Sequence, residues 1–493
     1  MVPLYLKYMG AEAYGLVGFF GMIQVWFGLL DMGLTLTLAR ETARLRGNAV
    51  DVLTYRNLMR ALELIFLGVG VVGSTLLFFY SASIASTWLN VQLMDIATVI
   101  VSLQLMAVAI ALRWMSGLYR GVISGAEDFV WLSVFNSFIA TWRFIGVLPF
   151  LIWIDGAPII FFGYQCGVGL VELIGVFAKA RRLMPALPNN APVEWSLKLM
   201  ISSVRHSFVF SIGISFAALV WVTMTQVDKL LLSALLPLAD YGVFTLSVLA
   251  ASGVNMIVGP LSSALLPRLA RLHAQGDDSA LILLYKKMTR VVVVIVVPTS
   301  FLLALFSEKI LFAWTGNQLI AQQGEAVLSL YAIGNCIMAV SAFPYYLQYA
   351  NGKLRLHLIG SGLFLAAFIP TLLFLTQTYG AIGAGYAWLA ANIAYFVLWT
   401  PVAHDRFAKG HHVQWLIHDV VAPGCSSVFL LLVFAWLMST TNAWPSDRLP
   451  LIALLVAIVF FAVVIAMLGQ SIFRNIFKNW TALIFSILAR SAK

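Results

Sequence analysis

The sequence predicts an all-α, polytopic membrane protein, and three observations carry that prediction. Hydrophobic residues make up 61% of the chain and charged residues 10%, against roughly 25% charged in an average soluble domain. Apolar runs of about 20 residues recur along almost the whole length, each long enough to cross roughly 30 Å of hydrocarbon. Backbone polar groups in lipid must be paired internally, and these runs are too long for strands, so each reads as a helix.

Taken in order, the predicted spans lie near 14–38, 57–80, 96–121, 130–154, 157–178, 204–227, 241–265, 288–307, 326–350, 356–377, 381–402, 417–438 and 449–469. The net charge of +10 invites a nucleic-acid reading, so the position of every Lys and Arg matters. Of the 30, 24 fall in one set of alternate loops and 4 (Lys7, Lys229, Lys309 and Arg448) in the other, with Arg113 and Arg143 inside spans. That asymmetry is the positive-inside pattern, so the basicity encodes orientation, and no nucleic-acid partner is expected. The basic loops and the C-terminal tail are expected in the cytoplasm.

Cys166, Cys336 and Cys425 all fall in or beside spans. An odd count in lipid offers no disulfide framework and no metal spacing, and packing is the expected role. The seven histidines, including His411 and His412, sit mostly near the basic loops, where a solvated surface is expected. No loop exceeds about 25 residues, which leaves no room for a soluble catalytic domain. No cofactor is predicted.

An internal repeat organises the spans. Tyr14-Gly15 matches Tyr241-Gly242, Ala43-Arg44-Leu45 matches Ala270-Arg271-Leu272, and Tyr119 and Gly125 match Tyr346 and Gly352, all at an offset of 227. Two six-helix halves in the same orientation follow, related by an axis along the membrane normal. The offset places the partner of the helix at 204–227 before Met1, so a first helix is expected upstream, with Val2 to Tyr8 as its outer end. The expected organisation is an N-lobe at 1–183 and a linker with an interfacial elbow helix at 184–203. A C-lobe at 204–403, two further helices at 404–469 and a basic amphipathic tail at 470–493 complete it.

Charge inside a membrane is costly and usually functional. It is confined to the first half, at Asp31, Arg113, Arg143 and Glu172. Counting helical rise from the basic ends puts Glu172, Asp31 and Arg113 at about 9–12 Å depth and Arg143 at about 20 Å. Arg143 is too deep to snorkel and is assigned to a polar cavity. For the shallower three, structural pairing such as Asp31 with Arg113 is the competing reading. Gly117, Gly121 and Gly125 form two small-xxx-small units, expected to pack a neighbouring helix closely. A lipid-facing or packing role is expected of the mid-span Trp26, Trp114, Trp142 and Trp388, with stacking on sugar rings as the competing reading. Asn136, Asn255, Asn335, Asn392, Gln24, Gln104 and Gln165 are in-span amides suited to a hydroxyl-rich cargo or to interhelical hydrogen bonds.

The passages "YMGAEAYGLVGFFGMIQVWFGLLDMGLTLTLARETAR", "QVDKLLLSALLPLADYGVFTLS", "SSALLPRLARLHAQGD" and "FPYYLQYANGK" resemble the Wzx-type oligosaccharide flippases. These form the polysaccharide transport branch of the MOP flippase superfamily. The resemblance implies two six-helix lobes around a central cavity plus two extra helices. It implies movement of an undecaprenyl-pyrophosphate-linked oligosaccharide between leaflets, with a polysaccharide polymerase and a chain-length regulator as candidate partners besides membrane lipid. Cationic cavity residues would then meet the pyrophosphate, and Arg143 and Arg113 are the intramembrane candidates. Asp31 and Glu172 are the candidates for ion coupling. A MATE-type multidrug or metabolite antiporter would share the lobes but would ordinarily have twelve helices and depend on an acidic site. A membrane polymerase or ligase would carry a large outward loop, so an enzyme is not expected.

Overall fold

A computed structural model of the chain describes residues 1–154, 158–185, 218–441 and 444–468. Among these residues twelve helical segments are long and apolar enough to cross a membrane. The predicted linker and elbow helix and the basic tail lie outside the described residues, apart from Met184 and Pro185 at the start of the linker. Contacts group the chain into two units, Met1–Gly242 and Val243–Lys493.

The first unit holds α1 (Val2–Gly28), α2 (Leu34–Arg46), α3 (Val52–Phe79), α4 (Ile96–Gly125), α5 (Phe129–Ile145), α6 (Leu148–Trp153), α7 (Pro158–Leu183) and α8 (Ala218–Leu235). It also takes in the first residues of α9 (Leu238–Ala274). Where these helices begin is set by capping. The Asp51 carboxylate accepts from the Leu53 and Thr54 amides at the start of α3, and Asp128 accepts from the Trp131 amide at the start of α5. Each satisfies N–H groups that a first helical turn leaves unpaired. Helix α4 is the spine, packed along α7, α3 and α2 around Leu38, Tyr55, Leu62, Phe66, Trp114, Leu118 and Val176. Leu64, Leu67, Val71, Val72, Leu76 and Phe79 stand exposed on α3 at helical spacing, as a lipid-facing stripe requires.

Two spans predicted as continuous are broken. The run at 14–38 stops after a 3-10 turn (Leu29–Asp31), with Met32 (φ 46°) and Gly33 (φ 73°) both left-handed before α2 restarts the helix. Hydropathy is blind to this, because the turn residues do not interrupt the apolar average. The run at 130–154 bends at Gly146, between α5 and α6, where Pro149 opens the second piece. Carbonyls freed at such a bend need partners inside a membrane. Here the Tyr5 hydroxyl donates to the Phe144 carbonyl at 2.7 Å, and the Tyr164 hydroxyl adds a second bond, at 2.9 Å, to the Trp142 carbonyl that already accepts from the Gly146 amide.

The second unit contains the remainder of α9, then α10 (Asp278–Leu305), α11 (Ser307–Thr315), α12 (Gln318–Ala350), α13 (Arg355–Ala394), α14 (Thr400–Phe407), α15 (His412–Trp415), α16 (Ala422–Thr441) and α17 (Arg448–Leu468). Helical structure runs from Arg355 to Phe407 over 53 residues, about 80 Å at 1.5 Å per residue, far beyond one crossing. Gly380 (φ 58°, ψ −133°) divides it into two crossings. The thirteen predicted spans and the twelve observed segments therefore agree in number once this pair is counted separately, with residues 204–217 of the sixth predicted span outside the described residues. Val254, Leu269, Tyr285, Val293, Phe343 and Trp415 centre one core, and Leu302, Phe306, Leu431, Leu451 and Ile458 tie the last two helices to α10.

The repeat has a physical counterpart inside the first unit. A Cβ on Gly242 would sit 2.5 Å from the Ala11 carbonyl oxygen and 3.0 Å from the Gly15 nitrogen, and one on Gly15 would strike the Leu238 carbonyl oxygen. The two matched glycines thus pack backbone against backbone. The residue 227 beyond Gly33 is Pro260, inside α9, where the helix runs on unbroken from Leu238 to Ala274, so the break at Gly33 has no counterpart there.

Candidate functional site

The intramembrane charges of the first unit gather on α4, α5 and α7. Rise along each helix from its basic end puts the backbone of Arg143 at about 21 Å, Glu172 at about 16 Å and Arg120 at about 8 Å. Long side chains lean toward the N-terminus of their helix. Helix α5 starts at the basic end, so Arg143 leans back toward it, while α4 and α7 start at the far end, so Arg120 and Glu172 lean inward. The three meet: one Glu172 carboxylate oxygen pairs with Arg120 and the other with Arg143.

Glu172 is 3% exposed and Arg143 6%, whereas the Arg120 side chain keeps 31% of its surface. The Arg143 Nε is buried without a hydrogen-bond partner among the described residues. Arg143 also sits in the last turn of α5, where unpaired carbonyls favour a cation. A buried charge pair must satisfy itself or impose a large desolvation cost, which here one carboxylate defrays for two guanidinium groups.

Arg113 lies two turns before Arg120 on the same face of α4. It donates to the Gln24 side-chain oxygen at 2.6 Å and lies over the Phe20 ring at 5.9 Å. Arg143, Glu172 and Arg120 are all within its electrostatic reach, yet it forms no ion pair among the described residues. Among the described residues three arginines thus lie around one carboxylate, a local excess of two positive charges.

Asp31 belongs elsewhere. Its Oδ1 accepts from the Thr35 amide at 3.0 Å and the Thr35 hydroxyl at 2.9 Å, so it caps the restarted helix α2. The pairing of Asp31 with Arg113 is not formed. Of the glycine stripe, Gly121 and Gly125 pack against the Thr35 and Ala39 backbone, while Gly117 faces open space. Trp114 donates to the Phe66 carbonyl at 2.9 Å and Trp388 to Asn335 at 3.1 Å, in keeping with packing. His404 departs from the expected solvated surface, 1% exposed, 2.6 Å from the Tyr285 hydroxyl and 2.8 Å from His412, whereas His273 is exposed as expected.

Two groups escaped the sequence reading. Arg120 falls near a span end beside the basic loop, although it lies seven residues, two helical turns, beyond Arg113. Glu12, in α1, is 5% exposed and accepts from the backbone amides of Gln92, Leu93 and Met94 at 2.6–3.1 Å. The loop it holds also supplies the Asn90 carbonyl to the Leu238 amide at 2.9 Å. Nothing in the sequence signals a carboxylate bound by backbone alone.

Comparison with known proteins now has a geometry to meet. The family described as "Polysaccharide biosynthesis protein" matches residues 183–321. A Shigella flexneri protein named "Putative O-antigen transporter" is 19% identical over 388 residues, covering 77% of this chain and 87% of that protein. Among solved structures, the lipid II flippase MurJ in an inward closed conformation aligns at a TM-score of 0.65 and 13% identity, over 98% of this chain and 95% of its own. The resemblance to Wzx-type polysaccharide flippases holds. An inward-facing MATE-family multidrug resistance transporter of the MOP superfamily aligns at 0.60 and 14% identity, over 83% and 94%. The chain therefore shares the fold of these two solved structures and is a multi-pass membrane protein.

Proposed function

We propose that this chain is a flippase that moves an undecaprenyl-pyrophosphate-linked oligosaccharide repeat unit across the bacterial inner membrane for surface polysaccharide synthesis. The observation that carries the reading is the arginine excess around Glu172, with Arg113 held by a neutral amide. A diphosphate brings at least two negative charges and several acceptor oxygens, and a guanidinium fork meets two of them at once. Arg113 is the receiving cation in this reading, with Arg143 and Arg120 behind it. The charge asymmetry of the loops supports a cytoplasmic basic end and C-terminus, hence outward movement of the cargo. The O-antigen and lipid II names of the two relatives favour a lipid-linked glycan over the cationic compounds a positive site would repel. A polymerase and a chain-length regulator are the partners such a pathway would supply.

Mutation tests the reading in cells that depend on this chain for surface polysaccharide. Arg113→Ala should leave protein abundance intact, because its partner Gln24 is neutral, and should abolish polysaccharide, with Arg113→Lys partly active. Arg143→Ala should lower abundance by leaving one oxygen of the buried Glu172 carboxylate without its cation, with only Arg120 still paired, and Glu172→Gln in the same chain should restore it. Normal polysaccharide from abundant Arg113→Ala protein would refute the proposed site.

A further inference from the structure

We infer that Glu172 is a tethered competitor of the cargo: its carboxylate holds Arg120 and Arg143 when the site is empty and is displaced from them when the cargo's anion binds. The inference rests on the diphosphate reading above and concerns how that anion is let go.

Its basis is geometric. Glu172 divides its two oxygens between two arginines on different helices, α4 and α5, instead of pairing with one. That is the arrangement a bridging phosphate would adopt. The site retains unused capacity: the Arg143 Nε is buried and has no partner among the described residues, and the Arg120 side chain is 31% exposed. Arg113 stands close by without an ion pair among the described residues. An anion reaching Arg113 therefore meets two further guanidinium groups whose counterion can be exchanged.

Exchange answers a problem that any carrier of a multiply charged head group faces. Three arginines converging on a diphosphate in a low-dielectric setting would bind it too firmly to release. A carboxylate fixed on α7 is present at high effective concentration whatever the cargo concentration. It re-pairs with the arginines as the anion leaves, so neither charge is stranded. Binding is weakened by the cost of breaking two ion pairs, and release is helped by re-forming them.

The test uses purified full-length protein in lipid nanodiscs, with farnesyl diphosphate as the probe and proteoliposome flipping of a fluorescent polyprenyl diphosphate as the rate. Glu172→Gln keeps the side chain's shape without its charge. It should bind the probe roughly tenfold more tightly than wild type, about one charge-assisted hydrogen bond, and should flip more slowly. Glu172→Asp keeps the charge on an arm too short to bridge both arginines, and should also bind more tightly than wild type. It remains informative if the glutamine variant does not fold. A structural brace predicts the opposite, weaker binding in both variants. If wild type binds the probe and the folded variants bind it equally or less well, the competitor role is overturned while the diphosphate reading stands. If wild type does not bind the probe at all, the diphosphate reading falls and takes this inference with it.

Discussion

Replacing Gly242 by alanine puts a methyl group where two backbones already touch. The new Cβ would lie 2.5 Å from the Ala11 carbonyl oxygen, where ordinary contact begins near 3.4 Å, so α1 and the start of α9 must separate by about 0.9 Å. Neither obstacle is a side chain that can rotate away. Forcing bulk into such a contact costs about 1–3 kcal/mol. Alanine also returns up to about 1 kcal/mol of helix propensity, which obscures a comparison with wild type. Gly253, on the same helix, has nothing within 4 Å of its would-be Cβ and serves as the control. Because both variants share the propensity gain, the difference between them isolates the steric cost of about 1–3 kcal/mol. Gly15→Ala, aimed at the Leu238 carbonyl, should behave like Gly242→Ala, and the double variant should cost less than the sum, since one separation relieves both. Thermal loss of the monodisperse peak in detergent provides the ranking. Gly242→Ala as stable as Gly253→Ala would refute the close packing of the matched glycines.

Glu12→Ala should speed deuterium exchange at the Gln92, Leu93 and Met94 amides roughly tenfold or more, since each loses a charge-assisted hydrogen bond; unchanged exchange would show that the carboxylate does not hold the loop. Asp31→Ala should destabilise the protein by about 0.5–2 kcal/mol through loss of the α2 cap. Asp31→Asn, which still accepts from Thr35, should retain both stability and transport, whereas a stable Asp31→Asn protein without transport would assign Asp31 to ion coupling. The Lys179 ammonium, 2.6 Å away, and the Trp131 amide hold the Asp128 carboxyl below the ordinary value of 3.8. Its contribution to stability is therefore present above pH 3.8 and is lost as pH falls through the lower folded value. Lys179→Met should flatten this acid limb of the stability profile, and an unaltered limb would count against the pair.

The spans were legible because a hydropathy window averages over twenty residues and needs no detail of any one. The same averaging hid the break at Asp31–Gly33 and the bend at Gly146, which depend on backbone angles and on caps. Of the site, the identities of Arg113, Arg143 and Glu172 stood out as charges in apolar runs. Their arrangement did not, because depth counted from backbone rise separates Arg143 from Glu172. Side chains leaning in opposite directions from antiparallel helices close that gap. Arg120 was hidden by its position near a span end, and His404 by its proximity to a basic loop. In both cases the deciding fact is which neighbour covers the residue, and that belongs to tertiary structure.

The capture of the 92–94 loop by Glu12 has an evolutionary consequence. The carboxylate reads three main-chain amides, so the side chains of Gln92, Leu93 and Met94 are free of any holding role, and Leu93 is 85% exposed. This short surface, on the face opposite the basic loops, can accept almost any replacement other than proline, which would remove an amide. The loop keeps its position while its chemistry drifts. The burden of constancy passes to a single buried acid that no external agent touches.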